Sequence, residues 1–366
     1  MNILIFIVIL AVLIFVHEFG HFIVAKKSGI RVDEFGFGFP PKLFGFKKGE
    51  TVYSINLIPF GGFVKIYGEN PEETIKLSPD DPARARSFAH KSRWTQAAVL
   101  AAGVAFNVIF AWVLISIGFM SGLPAPLSVA PEGEVTNSRV IITSVLPGSP
   151  AEKAGLKPGD ALVFLRSGKG EIEAKETALV QNFIAESGKN PISFAIERGQ
   201  EKQAFEILPE DGIIAGKTAV GVSMEEIGIL KLPFFSALYE GIKTTGRLTY
   251  ATAVGILDFL RSSFSGQGSL NQVTGPVGLV GIVGDAADLG IIYVISLAAF
   301  ISINLAVINL IPFPALDGGR LLFVAIEGIR KKAINPKVVN AFNTVGFALL
   351  LLLMVVVTWN DISRLL

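Results

Sequence analysis

The chain contains 366 residues, of which 51% are hydrophobic and 17% are charged. Because soluble domains carry about 25% charged residues, this composition excludes an ordinary water-soluble enzyme, and a net charge of +1 offers no basic field for nucleic acid. Cysteine is absent, which excludes disulfides, iron–sulfur clusters and thiolate metal sites, so any metal must be held by Asp, Glu or the three His.

Four stretches, uncharged apart from one motif in the first, are long enough to cross a bilayer, which requires about 20 apolar residues. They are residues 1–25, 97–122, 289–316 and 338–359. We therefore predict a polytopic α-helical membrane protein with four transmembrane helices. A signal peptide places positive charge before its apolar run, whereas Lys26 and Lys27 follow this one, so we expect the first span to be retained.

Lysine and arginine are concentrated in two connecting segments, residues 26–96 and the segment between the third and fourth spans. Positive residues in short loops near a span favour the cytoplasmic side. This pattern predicts that both segments are cytoplasmic. The N- and C-termini and the segment between the second and third spans are then extracytoplasmic, in a protein of the bacterial cytoplasmic (inner) membrane.

Short β-rich runs with turn signals, such as Ile192–Glu197, predict an inserted small β-rich domain over residues 128–225. Its centre predicts a short helix that begins after Ser149, with Pro150 first, and stops at Gly155. This segment resembles the SPAxxAGLxxGD motif of bacterial PDZ domains, which bind extended peptides at a sheet edge. A peptide or a protein C-terminus is therefore an expected partner of a PDZ-like extracytoplasmic domain, and an inert spacer is the alternative.

Residues 232–288 are predicted to contain amphipathic helices followed by a Gly-Pro loop. Apolar and charged residues alternate over 232–264 in a pattern typical of one or two amphipathic helices. These helices either lie on the membrane surface or pack against the β-rich domain. Residues 266–278, rich in Gly, Ser and Pro, are predicted to form the loop that leads to the third span.

The chemistry is carried by one motif in the first span, His17-Glu18-Phe19-Gly20-His21. Histidines at positions i and i+4 lie on one face of a helix, so both imidazoles can bind one metal while Glu18 lies beside it as a general base. Ionisable groups inside a span are energetically costly and mark functional sites. The alternative is that partner helices satisfy these polar groups. His90, the remaining histidine, is expected at the surface rather than as a ligand.

A catalytic zinc takes three protein ligands and leaves an open position for water. Asp317 is the one other acid embedded in a long uncharged sequence, where Pro312 and Pro314 break the helix. Broken backbone in a membrane must be satisfied by protein or by a wet cavity. Together with the histidines, this pattern favours Asp317 as the third ligand; a plain helix end is the alternative interpretation.

In this order, the HEFGH motif, the PDZ-like motif and Asn309-Leu-Ile-Pro-Phe-Pro-Ala-Leu-Asp317-Gly-Gly resemble the site-2 protease family of intramembrane zinc metalloproteases, in its bacterial regulator-of-sigma-E-protease branch. The resemblance implies Zn²⁺ as the cofactor, held by His17, His21 and Asp317. It implies that Glu18 activates water and that Asn309 contacts the substrate backbone or polarises the scissile carbonyl.

Further segments extend the resemblance along the chain. Residues 56–65, with Gly61 and Gly62, resemble the membrane-associated β-loop of the family, which can pair with an unwound substrate; an ordinary hairpin is the alternative. Residues 103–107, with Asn107, resemble its second-span motif, although Val104 stands where the family commonly has Pro. The resemblance implies Asn309, Gly61, Gly62 and Asn107 as substrate-binding residues. A single PDZ-like motif is evident, where some members carry two.

The leading hypothesis is an intramembrane zinc endopeptidase that cuts single-span membrane proteins near the cytoplasmic side of the bilayer. Anti-sigma factors and remnant signal peptides are the substrates that the resemblance implies. A PDZ-bearing membrane scaffold with a non-catalytic metal site is the alternative. A metal or proton transporter is a third hypothesis, disfavoured because four spans show no internal repeat.

Overall fold

The computed structural model describes residues 2–69, 81–127, 135–199, 201–214, 217–265 and 274–365. The chain divides into two compact units. The helical unit combines Met1–Ile117 with Leu238–Leu366, and the β-rich unit is Gly118–Ala237. The β-rich unit is therefore an insertion between the second and third apolar helices, as the sequence predicts.

The secondary-structure elements are numbered in chain order. The helices are α1 (Asn2–Lys27), α2 (Pro82–Ala85), α3 (Arg93–Ser121), α4 (Pro150–Ala154), α5 (Thr177–Ser187), α6 (Phe234–Phe264), α7 (Pro276–Leu289), α8 (Ile291–Leu310), α9 (Asp317–Arg330) and α10 (Pro336–Leu365). The strands are β1 (Val32–Lys48), β2 (Thr51–Ile66), β3 (Leu123–Pro126), β4 (Val135–Val145), β5 (Ala161–Ser167), β6 (Gly170–Glu173), β7 (Ile192–Arg198), β8 (Glu201–Ile207), β9 (Glu210–Ile214), β10 (Lys217–Ala219) and β11 (Val222–Leu230).

Within the described part of the chain, four helices are long and apolar enough to cross a membrane: α1, α3, α8 and α10. They coincide with the four predicted spans. Helix α8, which corresponds to the third predicted span, ends at Leu310 rather than at Leu316, because Pro312 and Pro314 prevent the helix from continuing. The residues that follow approach Asp317 in a non-helical conformation.

Strands β1 and β2 form a sheet that folds back on itself. Phe35 pairs with both Val64 and Tyr53, so the first half of β1 lies between two parts of β2. The ring of Phe35 also packs against Phe15 and Phe22 of α1. The predicted loop at residues 56–65 is thus part of a larger sheet that packs on the helix carrying the HEFGH motif.

Helices α6 and α7 occupy most of residues 232–288, the region predicted to contain amphipathic helices and a loop. Helix α6 is one continuous helix, and its Leu238 carbonyl accepts a hydrogen bond of 2.9 Å from Trp112 Nε1 of α3. The predicted loop at 266–278 is wrong from Pro276 onwards, where α7 begins, while residues 266–273 lie outside the described residues. Pro at the first helical position explains this start. Val283 of α7 packs against Ile9 and Leu13 of α1.

The start of α7 is capped by a side chain of α10. Asp361, 4% exposed, accepts hydrogen bonds from the Gly275 N–H (3.1 Å) and the Gly278 N–H (2.8 Å). A Cβ on Gly275 would lie 2.7 Å from Asp361 Oδ2. Glycine therefore permits this close approach, and the first-turn donors that a helix leaves unpaired are satisfied from another helix.

In the β-rich unit, the described residues form a seven-stranded sheet with the order β3-β11-β4-β5-β7-β8, and β6 pairs with β5. Its core is a single apolar cluster that includes Val140, Leu165 and Phe194, each fully buried. Helix α4 matches the sequence prediction: the Ser149 side chain caps its first turn and Gly155 ends it with φ of 95°.

Candidate metal centre

Helix α1 presents three side chains of the HEFGH motif, those of His17, Glu18 and His21, toward one site. The Nε2 atoms of His17 and His21 lie 3.2 Å apart. Glu18 lies on the same part of the helix and lines the cavity next to His17. The i, i+4 spacing therefore produces the shared imidazole face that the sequence predicts.

Asp317 reaches this site because the helical conformation is interrupted between α8 and α9. After α8 ends at Leu310, Ala315 adopts a left-handed conformation with φ of 68°, and Asp317 opens α9. A Cβ on Gly318 would lie 2.2 Å from the Ile311 carbonyl oxygen, so a larger residue at this position would clash with the backbone. The alternative interpretation, a plain helix end, does not describe this geometry, since Asp317 begins a helix and faces the histidines.

The three candidate ligand atoms form a small triangle. Asp317 Oδ2 lies 3.0 Å from His17 Nε2 and 3.1 Å from His21 Nε2, and the histidine nitrogens complete the triangle. Zinc ligands at about 2.0–2.2 Å in tetrahedral geometry are separated from one another by about 3.4 Å. The donor set and its spacing therefore fit a zinc ion, with one oxygen and two nitrogen ligands.

Backbone and side-chain contacts orient both imidazoles. His21 Nδ1 lies 2.8 Å from the Val99 carbonyl oxygen, which accepts its proton and leaves Nε2 free for a metal. Asn107 Nδ2 lies 3.3 Å from His17 Nδ1, and Asn107 Oδ1 is buried without a partner among the described residues. Turning the amide by 180° would place this oxygen on His17 Nδ1–H, which is the orientation a metal-binding tautomer requires. Ser302 of α8 donates to the Asn107 carbonyl at 2.8 Å.

Gly103 of α3 forms the floor beneath the imidazoles. A Cβ at this position would lie 2.4 Å from His21 Nε2 and 2.7 Å from His17 Cε1. Real Cβ atoms do not approach other atoms this closely, so α3 can pass behind the ligands only with glycine here. The resemblance to the second-span motif thus extends to a geometric requirement at Gly103.

A cavity of about 250 Å³ opens beside the three ligands. His17, Glu18 and Asp317 line it together with two of the residues predicted to bind substrate, Asn107 and Asn309. The remaining lining residues are Ile14, Leu305, Ala315 and Leu316. The structure therefore brings the predicted base, two of the ligands and two amides around one space that can hold water and a peptide group.

The other predicted substrate residues, Gly61 and Gly62, lie on β2. A Cβ on Gly62 would lie 3.4 Å from Glu18 Cγ and 3.7 Å from Ile14 Cγ2, so this strand runs directly past the predicted base. Gly61 has φ of 129°, which favours glycine. Gly62 pairs with Phe37 of β1, and among the described residues the opposite edge of this strand segment has no strand partner.

Two charged groups next to the centre escape the motif analysis. Arg320, one turn after Asp317, forms an ion pair with Glu69, three residues beyond the end of β2. Burial opposes its charge, but the carboxylates of Glu69, Asp317 and Glu18 together raise the pKa of Arg320 above its ordinary value. The centre is therefore electrostatically coupled to the end of the β1–β2 sheet.

His90 lies apart from the centre, as the sequence predicts. It is exposed on a short 3-10 turn, and burial together with nearby Arg84 lowers its pKa.

Sequence reasoning missed Val99, Ser302 and Glu69, because a backbone carbonyl, a common hydroxyl and a loop carboxylate carry no spacing signal. Arg320 could have been found from its i, i+3 relation to Asp317.

The chain matches known proteins along nearly its whole length. The sequence model of peptidase family M50 matches residues 5–353. The zinc metalloprotease RasP of Geobacillus kaustophilus is 32% identical over 99% of this chain and 98% of its own length. The corresponding protein of Shouchella clausii is 35% identical over 100% and 99%. The regulator of sigma-W protease RasP of Bacillus subtilis is 33% identical over 98% of each chain.

Proposed function

The chain belongs to peptidase family M50 and is a zinc metalloendopeptidase of the site-2 protease type, and from this premise we propose that it hydrolyses peptide bonds within or near transmembrane segments of single-span membrane proteins. The observation that carries the proposal is the triangle of His17, His21 and Asp317 beside Glu18, between helices long enough to cross a bilayer. A hydrolytic centre at such helices acts on substrates that share the bilayer.

His17, His21 and Asp317 are the proposed zinc ligands. Bound zinc supplies Lewis acidity and lowers the pKa of water toward about 7. The protein's own part is to hold the two Nε2 atoms and Oδ2 within 3.2 Å of one another. Val99 and Asn107 fix the opposite nitrogens of the two rings, which keeps both imidazoles in the orientation that binding requires.

Glu18 is the proposed general base. Its carboxylate lines the cavity beside His17, where an attacking water must lie. It accepts a proton from this water and returns it to the nitrogen of the leaving amine, so one residue serves both half-reactions. Its position on α1 fixes it next to both histidines, and β2 covers it at Gly62.

Asn309 and Asn107 are the proposed amides that contact the substrate backbone. Both line the cavity shared with Glu18 and Asp317. Asn309 lies in the last turn of α8, just before the proline break, and lines the cavity, so its side chain can donate to a scissile carbonyl as negative charge develops there. Asn107 carries a second task, because its side chain also contacts His17.

Gly61 and Gly62 are the proposed contact with an unwound substrate. A peptide bond in a membrane helix is shielded by its own hydrogen bonds, so cleavage requires local unwinding. The outer edge of the β2 segment that starts at Gly62 offers unpaired backbone groups beside Glu18. A substrate strand added there exchanges its helical hydrogen bonds for sheet hydrogen bonds next to the centre.

The natural substrates and the membrane orientation belong to the same proposal. We assign the centre to the cytoplasmic side of the bilayer and place both termini and the β-rich unit, as a PDZ-like peptide-binding domain, outside. The name of the Bacillus subtilis relative links it to sigma-W, and anti-sigma factors and remnant signal peptides are the proposed substrate classes. A scaffold role with an inert metal site is disfavoured because His17, Asp317 and Glu18 line one cavity and His21 completes the candidate ligand set beside them.

The test is zinc content and cleavage of a tagged single-span substrate by the purified protein in detergent. We expect the wild type to hold about one zinc and to cleave. Glu18→Gln is expected to retain zinc and to cleave about 10²- to 10⁴-fold more slowly, the usual contribution of a general base. Undiminished cleavage by Glu18→Gln contradicts its role, and a wild type that neither binds zinc nor cleaves favours the scaffold.

A further inference from the structure

The ion pair between Glu69 and Arg320 joins two parts of the site that are far apart in sequence. Arg320 Nη1 contacts Glu69 Oε1, and the two residues are separated by 251 positions. Arg320 lies on the first turn of α9, which Asp317 opens. Glu69 lies just beyond β2, and a Cβ built on Gly62 of this strand would lie 3.4 Å from Glu18 Cγ. The pair therefore spans the distance between a candidate ligand and the candidate substrate strand.

The segment that carries Glu69 is itself held by backbone hydrogen bonds. The Phe88 N–H donates to the Tyr67 carbonyl at 2.9 Å, and the Ala89 N–H donates to the Gly68 carbonyl at 3.2 Å. The Glu69 N–H donates to the Ile66 carbonyl at 3.2 Å, which closes the turn at the end of β2. Because this turn is held in place, the Glu69 carboxylate can fix the position of Arg320 and of the α9 turn that carries it.

We propose that Glu69 and Arg320 form a positioning pair that sets the distance between the β2 substrate strand and Asp317. This inference rests on the proposed protease function and extends it to two residues outside the centre. The pair acts through Asp317 and through the strand beside Glu18, without contacting the reacting atoms. Small displacements of a reacting group, of about 1 Å, can lower a rate by about 10²-fold, so the pair affects turnover more than substrate binding.

Helix α9 supplies a matched control at its other end. Arg93 Nη1 of α3 lies 2.6 Å from Glu327 Oε2, and these side chains are 36% and 14% exposed, against 35% and 22% for Arg320 and Glu69. Glu327 is ten residues after Asp317, about 15 Å along the helix. The two pairs therefore dock the same helix with similar shelter from solvent, but only the first adjoins the centre.

The experiment compares Glu69→Gln, Arg320→Gln, Arg320→Lys and Glu327→Gln in the full-length protein. We expect Glu69→Gln and Arg320→Gln to lower kcat about 10- to 100-fold with KM within about threefold of the wild type and zinc retained. Arg320→Lys keeps the charge and is expected to recover part of the loss. Glu327→Gln is expected to keep kcat within about twofold of the wild type.

A second readout separates this inference from the protease function. In the cobalt-substituted protein, the visible absorption bands report the geometry of the three ligands without any substrate. Glu69→Gln and Arg320→Gln are expected to shift these bands and Glu327→Gln to leave them unchanged, and this holds even if the wild type fails to cleave. Wild-type kcat and bands in Glu69→Gln and Arg320→Gln would overturn the positioning role. If Glu327→Gln lowers kcat and shifts the bands equally, the Glu69–Arg320 pair only docks α9 against its neighbours, and the positioning role is contradicted.

Discussion

Each of the two units holds an aspartate that is largely shielded from solvent, Asp160 in one and Asp317, with a side chain 14% exposed, in the other, and the surroundings of the two carboxylates are opposite. In the β-rich unit, Asp160 is 1% exposed, accepts hydrogen bonds from Arg198 Nε (2.6 Å) and Nη2 (2.8 Å), and accepts a third from the Lys157 N–H (2.8 Å). In the helical unit, Asp317 faces two imidazoles and a cavity. A carboxylate saturated by protein donors is structural, whereas one that faces two imidazoles and a cavity can bind a metal.

Depth in the apolar unit does not by itself explain the contrast. Asp361 also belongs to the helical unit and is 4% exposed, yet the backbone N–H groups of Gly275 and Gly278 satisfy both of its oxygens. Its carboxylate caps a helix and opens onto no metal-ligand cluster among the described residues. The partners of a buried acid, more than its burial, therefore distinguish function from structure.

The largest effect is expected for Asp317→Asn. The amide keeps the size of the side chain but removes the anionic ligand, so zinc retention and cleavage should fall to background. Bound zinc itself stabilises the folded protein, so the thermal midpoint is compared with that of metal-free wild type; it should stay unchanged or rise, since functional sites are often held at a cost in stability. Metal analysis, a cleavage assay and thermal unfolding of the same sample measure this. A strongly lowered midpoint with zinc still bound would place Asp317 with the structural acids.

Asp160→Asn should show the reverse behaviour. The substituted amide turns its NH₂ group toward one of the donors that Asp160 accepts from, which costs about 1–3 kcal/mol, so we expect the β-rich unit to become sensitive to limited proteolysis while zinc content is unchanged. Glu197→Gln is the control, because its partner Arg139 is 57% exposed and such pairs contribute about 1 kcal/mol or less. If both variants are equally sensitive to proteolysis, Asp160 stabilises the β-rich unit no more than an exposed ion pair does.

Asp361→Ala is expected to cost about 1–3 kcal/mol, because it leaves two buried N–H groups at the start of α7 without an acceptor. The thermal midpoint should fall while the zinc content stays at the wild-type value. Asp258→Ala serves as the control, since Asp258 is exposed on α6 and pairs only loosely with Arg261 at 3.6 Å. Loss of zinc in Asp361→Ala would show that this acid belongs with the metal centre.

Gly103→Ala tests the floor of the site. The added Cβ collides with both imidazoles, so we expect zinc affinity to fall about 10- to 100-fold, the range seen when groups that orient ligands are disturbed. Gly246→Ala in α6 is the control, because a Cβ there meets open space and alanine favours a helix. Titration with a competing chelator measures both, and equal affinities would contradict the packing argument.

The sequence predicted those helices whose position depends on neighbouring residues in the chain. The four apolar helices and the short helix between Ser149 and Gly155 follow from hydropathy, a capping side chain and a glycine that ends the turn. The pair of histidines on α1 follows from helical periodicity alone. Asp317 needed more, because only its combination with the histidines separated it from an ordinary helix end.

The contacts that complete the centre depend on tertiary structure and had no local signal. The requirement for glycine at position 103 arises from the passage of α3 behind the histidines. Val99 acts through a backbone carbonyl that every residue possesses. Helix α7 was hidden because Gly and Pro near its start are typical of loops, while the acid that caps it lies 83 residues away from Gly278.

The separation of His17 and Asp317 by 300 residues has a consequence for biosynthesis. A ribosome makes the histidines and the base early, but the third ligand emerges only after the β-rich unit and α8 have been made. A partly synthesised chain in the bilayer therefore holds an incomplete metal site and cannot cut its neighbours. Completion of the proposed site by a late segment confines proteolysis to chains that have been made at least as far as α9.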